Sequence, residues 1–138
     1  MRFNDYQEKT GETAVYPSGK KLPSWLDNII AGGDPDSSFV ENFLNVESIG
    51  YCVMGLVGEA GELANKVKKI KRDNPEGDLG VSAELKKTLI DELGDVLWYV
   101  SELATCLGYD LSDVAKMNLS KLESRKERGT IAGSGDNR

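Results

Sequence analysis

The chain is expected to be all-α, and three observations predict it. Apolar residues recur at helical spacing from about Val40 onward. Capping residues, prolines and terminal glycines bound those apolar runs. No stretch shows the strict alternation of a half-buried strand.

Residues 4–14 are predicted to form a short helix ending before Tyr16-Pro17, followed by a turn over Ser18–Lys21. Pro23 to Ile30 has a proline in its first turn and Gly32-Gly33 beyond it, which suits a second short helix. Asp34 to Ser38 is polar and turn-like. Val40 to Arg72 carries a helical period, with a break expected near Asn45. At about 100° per residue, Val53, Leu56, Val57, Ala60, Leu63, Ala64, Val67 and Ile70 fill one arc. Asp73 to Asp78 contains the proline and glycine that stop this helix. Ser82 is placed to cap a second long helix reaching Leu107, with Glu84 in its first turn and Gly108 after its end. A third core helix is expected over Leu111–Arg128, with Ser112 near its start, and Gly129 to Arg138 reads as a glycine-rich loop.

The 138 residues suit one domain: an N-terminal segment (1–44), core helices (45–128) and a tail (129–138). A net charge of −6 argues against a nucleic-acid-polymer partner, since no basic field attracts a phosphate backbone. No apolar run is long enough to span a membrane, and the first residues lack the apolar stretch of a signal peptide, so a cytoplasmic protein is expected. Cys52 and Cys106 lie far apart in sequence without metal-ligand spacing and read as two buried thiols in a reducing cytosol, in preference to the alternative of a disulfide. The absence of histidine removes imidazole-based catalysis and imidazole-bound zinc.

The functional signal is a repeat. Gly58-Glu59-Ala60-Gly61-Glu62-Leu63 is answered by Asp91-Glu92-Leu93-Gly94-Asp95-Val96. Each stretch carries two acids separated by two residues. With Glu59 and Glu92 set to zero on their wheels, both apolar arcs share one phase, and Glu62 and Asp95 each lie about 60° out on the same side. A connection of roughly ten residues makes these helices antiparallel neighbours. Equal phase then brings both acidic shoulders to one side, at depths of about 20 Å and 15 Å from the turn.

Four crowded carboxylates repel one another, and a hard divalent cation resolves that; Mg²⁺ or Mn²⁺ suits an all-oxygen site. The plainer alternative is a solvated face salt-bridged to Lys66, Lys68 or Lys69. The phase match and similar depth favour the metal. Gly55, Gly58, Gly61 and Gly94 point to close approach of a backbone or ligand, because each weakens its helix by about 1 kcal/mol relative to alanine.

These residues resemble the MazG-like nucleoside triphosphate pyrophosphohydrolases, an all-α group that includes dimeric dUTPases and dCTP pyrophosphatases. The family pattern E-x-x-E then E-x-x-D stands here as Glu59-Ala60-Gly61-Glu62 and Glu92-Leu93-Gly94-Asp95. GLVGEAGELANKVKKIKR, DELGDVLWYV and NLSKLESRKERG extend the likeness over about residues 45–136. The chain departs from the pattern at Gly58, where many members carry a further Glu.

The resemblance implies hydrolysis between the α and β phosphates of a nucleoside triphosphate. It implies metal ligation by Glu59, Glu62, Glu92 and Asp95, with Glu59 or Glu62 as general base. Asn118, Lys121 and Arg125, on one face of the third core helix, would contact phosphates or sugar. Lys66 and Lys69 are weaker candidates for the same role, and Tyr99 is placed either to stack on a base or to pack in the core. A hairpin with one further helix leaves an apolar face uncovered, so a homodimer or homotetramer is expected to complete a four-helix-bundle-like core. The rival readings are a catalytically weak nucleotide or metal sensor and a helical interaction module.

Overall fold

The structure, a computed structural model, describes residues 1–16, 37–73 and 82–131, with the side chains of 37–45 outside that description. Its described residues form α1 (Phe3–Thr13), α2 (Ser37–Asp73), α3 (Ala83–Cys106) and α4 (Leu111–Glu127), and contain no strand. The expected all-α class is what is found. The turn over Ser18–Lys21, the short helix over Pro23–Ile30, the stop segment from Asn74 to Asp78 and tail residues 132–138 lie outside the described residues.

Two expectations about α2 are corrected. Ser37 and Ser38, read as part of a turn, open the helix, and Asn45 lies within continuous helix. Serine and asparagine are only weak helix formers, at roughly half a kcal/mol below alanine, so neither stops a long helix. At 37 residues α2 spans on the order of 55 Å.

The ends of α3 follow the local chemistry. Ser82 Oγ accepts the Leu85 N–H at 3.1 Å, and Glu84 faces the positive end of the dipole. At the other end Gly108 takes φ 73°, the left-handed conformation that lets the Tyr109 N–H reach the Ala104 carbonyl at 3.0 Å. The C-terminus of α4 repeats the device through Gly129, at φ 67°.

Helix α3 is central: α1, α2 and α4 all pack on it. Successive contacts between α2 and α3 pair Cys52 with Cys106, Gly55 with Tyr99, and Lys66 with Glu92. One number rises as the other falls, so the two helices are antiparallel, as their connection predicts.

The Gly55–Tyr99 contact sets their spacing. A Cβ on Gly55 would sit 2.1 Å from the Tyr99 ring, whereas nothing lies within 4 Å of a Cβ built at Gly58, Gly61 or Gly94. Close approach therefore accounts for one of the four helical glycines singled out, and the other three face open space. Much of the hairpin's apolar arc is also open: Val53, Val57, Ile90 and Leu93 are all exposed, as is Met54 beside them.

Helix α1 docks through polar side chains. Asn4 and Gln7, one turn apart, reach the start of α4, where their side-chain oxygens accept the N–H groups of Ser112 at 3.3 Å and Leu111 at 2.7 Å. They satisfy the helix terminus that Asp110, at the N-cap position, leaves without a side-chain bond. Further along, Thr10 and Ser101 hydroxyls meet at 3.0 Å, and Trp98 Nε1 donates to Thr13 Oγ1 at 2.9 Å.

Below α1 lies a buried polar chain. Glu102 is 1% exposed; its Oε2 accepts the Tyr16 hydroxyl at 2.6 Å, and its Oε1 has no hydrogen-bond partner. Cys106 Sγ donates to Tyr16 Oη at 3.5 Å and lies 3.9 Å from Cys52 Sγ. The cysteines, distant in sequence, are neighbours in space, because an antiparallel pair joins the early part of one helix to the late part of the next.

Two substitutions check these contacts by thermal or urea melts. Gly55→Ala should destabilise by about 1–3 kcal/mol, since the Tyr99 ring must move, while Gly58→Ala should be neutral or stabilising by up to about 1 kcal/mol. Tyr16→Phe should cost about 1–3 kcal/mol by leaving the buried Glu102 carboxylate without its donor.

Candidate functional site

Glu59 and Glu62 lie on α2, and Glu92 and Asp95 on α3. One ligand oxygen from each of Glu59, Glu62 and Glu92 falls within 4.8 Å of the other two. Asp95 stands outside that trio but joins Glu59 in a neighbouring cleft. The two acid pairs thus converge, as equal helical phase requires, with Asp95 set to one side.

Burial differs among the acids. Glu92 is 9% exposed and Glu59 half-buried, whereas Glu62 and Asp95 are exposed. Desolvation, then the charges of Asp95, Glu62 and Glu92, push the Glu59 carboxyl above its usual range. Among the described residues, Lys66 brings a cation to the acids. Lys66 Nζ bonds Glu92 Oε1, and that hydrogen bond, aided by the charges of Glu92, Glu62 and Asp91, holds the ammonium above the usual lysine range. Glu92 Oε2 stays buried and has no hydrogen-bond partner. The ion pair thus satisfies only part of what Glu92 offers.

The adjoining cleft, of about 340 Å³, is lined by Thr13, Val15, Tyr51, Glu59, Asp95, Trp98 and Tyr99. Its aromatic residues pack on one another. Trp98 meets Tyr99 edge-on with ring centroids 4.9 Å apart, Tyr51 lies 6.2 Å from Tyr99, and Tyr16 stacks on Tyr51 at 5.4 Å. Tyr99 therefore packs over Gly55, one of the two roles expected of it, and also lines the cleft.

Tyr51 and Thr13 are lining residues that the sequence reading did not single out. A signal for Tyr51 exists, since Tyr51, Gly55, Glu59, Glu62 and Lys66 follow one helical stripe. Thr13 carries no such signal, because the docking of α1 brings it there.

The basic candidates are not gathered at the acids. Asn118 and Lys121 line a separate, larger cavity of about 450 Å³ with Tyr109, Val114 and Met117. Arg125 is half-buried near the end of α4, where its carbonyl accepts the Thr130 N–H. The Arg72 hydrogen bond holds the Asp73 carboxyl below its usual range, and the exposed Lys69 adds a smaller effect in the same direction. Among the described residues, Lys66 pairs with one of these carboxylates, that of Glu92.

The donor set fits a hard divalent cation: clustered carboxylate oxygens, a buried and unpartnered Oε2 on Glu92, and a Glu59 carboxyl whose proton affinity is raised by desolvation and then by its acidic neighbours. This acid-bearing antiparallel hairpin, walled by aromatics, defines the class of protein. Residues 49–130 match the MazG nucleotide pyrophosphohydrolase domain, and the chain belongs to that family. It is 46% identical to the Gene 37 protein of Mycobacterium phage L5 over 138 residues, the full length of both chains. It is 43% identical to the uncharacterized protein YvdC of Bacillus subtilis (strain 168) over 74 residues, covering 52% of this chain and 70% of YvdC. No solved structure is a significant match. No helix among the described residues is long and apolar enough to cross a membrane.

The raised Glu59 carboxyl has a defined pH signature. Its penalty is absent below the ordinary value of 4.5, where both folded and unfolded chains are protonated. The penalty builds as pH rises above 4.5 and is complete above the raised folded value. In chelator at neutral pH, Glu59→Gln and Asp95→Asn should melt above the wild type, with the gain vanishing in acid. Glu92→Gln, which loses the Lys66 pair, should show no such gain.

Proposed function

We propose that the protein is a metal-dependent nucleotide pyrophosphohydrolase. It cleaves nucleoside triphosphates between the α and β phosphates, releasing monophosphate and pyrophosphate, in cytoplasmic nucleotide-pool housekeeping or regulation. The observation that carries this reading is the Glu59–Glu62–Glu92 trio within 4.8 Å, on two helices of a MazG-family domain.

Glu59, Glu62, Glu92 and Asp95 would hold Mg²⁺ or Mn²⁺. When bound, such an ion neutralises phosphate charge and lowers the pKa of a coordinated water. Glu59, held above the usual carboxyl range by desolvation and its neighbours, suits a general base, and Glu62 is the other candidate. Tyr51, Trp98 and Tyr99 present flat apolar faces beside Glu59 and Asp95, where a base could lie while the triphosphate extends toward the acids. Lys66 sits at the acids and can meet phosphate once a metal takes its place on Glu92.

Asn118, Lys121 and Arg125 serve as phosphate or sugar contacts supplied from a second copy of the chain. Asn118 and Lys121 line a cavity apart from the acids, and Met54, Val57, Ile90 and Leu93 leave an apolar surface for such a copy to cover. The assembly is a homodimer or homotetramer. Gly58 keeps the sensor reading as the rival, since many relatives place an acid there. An acid would meet no obstacle at this open position, and the trio forms without it.

A panel of nucleoside triphosphates with Mg²⁺, assayed for pyrophosphate, tests the proposal. Turnover should fall about 100-fold or more in Glu92→Gln and Asp95→Asn, with the fold retained. Nucleotide binding without turnover in the wild type would favour the sensor, and neither property would favour an interaction module. Calorimetry offers a second check: Lys66→Met should tighten Mn²⁺ binding by about 3–5-fold, because the metal no longer displaces an ammonium.

A further inference from the structure

Outside the acid site, the described residues hold a pair of facing thiols. Cys52, on α2, is fully buried, and its Sγ lies 3.9 Å from that of Cys106, the last residue of α3. Both thiols are free. Cys106 is half-buried, so solvent reaches the pair from its side. Its thiol also donates to Tyr16 Oη, whose own proton goes to the buried Glu102 carboxylate. Neither cysteine has a part in the pyrophosphohydrolase reading.

We infer that Cys52 and Cys106 form an intramolecular disulfide when the protein meets a peroxide, a covalent modification site that staples α2 to α3. The half-buried Cys106 reacts first. Its sulfur bonds to one peroxide oxygen, the O–O bond breaks, and the departing hydroxide takes the thiol proton as water, leaving a sulfenic acid. Cys52 sulfur then attacks Cys106 sulfur. The S–S bond forms, the S–O bond breaks, and the leaving hydroxide carries away the Cys52 proton as a second water. Two sulfurs lose two electrons in all and one peroxide gains them.

The order follows from environment. Cys52 is fully buried and Cys106 half-buried, so the oxidant meets Cys106 first and Cys52, facing it, is left to resolve the sulfenic acid. The sulfurs need close only from 3.9 Å to about 2 Å. Cys106 stands where α3 gives way to the Gly108 turn, so its backbone can adjust.

The consequence is structural. The chain connection closes the hairpin beyond Lys66 and Glu92, and the disulfide closes it at the opposite end, with the acids between. Oxidation also takes the Cys106 proton away from Tyr16, whose ring stacks on Tyr51 in the cleft wall. Redox state is thereby linked to the wall of the cleft.

The test uses the full chain, exposed to hydrogen peroxide, then denatured for thiol titration and intact mass. The expected result is loss of both thiols, a mass lower by two hydrogens, a Cys52–Cys106 linked peptide, and reversal by a dithiol. The oxidised wild type should melt higher, by on the order of 5–10 °C. Cys52→Ser should stop at a sulfenic acid on Cys106, trapped by dimedone, and Cys52→Ala provides the same readout if serine perturbs packing. Two titratable thiols remaining under conditions that oxidise a small free thiol would overturn the inference. So would disulfides found only between chains. No outcome depends on nucleotide turnover, so the inference stands or falls apart from the proposed activity.

Discussion

The Tyr99 ring lying over Gly55 is the contact on which the arrangement of the carboxylates depends. It sets how closely α2 and α3 approach and which residues face each other along them. With that register, Lys66 meets Glu92 one way along the hairpin and Cys52 meets Cys106 the other way. A side chain at position 55 would wedge the helices apart at the level of Glu59 and Asp95. The helix-propensity loss of one glycine, about 1 kcal/mol, is small beside the packing it permits.

Register brings like charges together, and electrostatics then demands a cation. Lys66 supplies one, but it reaches Glu92 while Glu59 keeps a raised proton affinity. One ammonium cannot neutralise several carboxylates, and it offers hydrogen bonds rather than a shared coordination sphere. Burial and the neighbouring charges together make ionised Glu59 unfavourable in the metal-free fold. A divalent ion held there, as proposed, would have both the charge and the ligand number to relieve that repulsion, and its binding would then raise stability.

The N-terminal segment completes the wall of the cleft by polar means. Asn4 and Gln7 cap α4, Thr10 meets Ser101, and Tyr16 holds Glu102. These bonds are directional, so they fix where Thr13, Val15 and Tyr16 lie, next to Trp98 and Tyr51. An apolar docking surface would have held α1 with less definition. The buried Glu102 carboxylate lowers stability wherever its bonds are incomplete, and Tyr16 is the donor that offsets this.

The all-α class, the caps at Ser82 and Gly108, and the acid pairs on one side of an antiparallel hairpin were legible because each depends on local spacing. Helical phase is a property of residue numbers, and a short connection between long helices leaves little choice of direction. The end of α2 nearest Ser37 was misread, because weak helix formers resemble a turn when neighbours are ignored. Gly55 could not be told from Gly58, Gly61 and Gly94, since only the opposing helix distinguishes a glycine under a ring from one facing open space. The pairing of Cys52 with Cys106, the approach of Thr13 to the cleft, and the separation of Asn118 and Lys121 from the acids were likewise invisible. Sequence alone determined which faces of the helices carry charge, because periodicity is written along the chain. Tertiary structure decided which faces meet, because contact between distant segments rests on packing that no local pattern encodes.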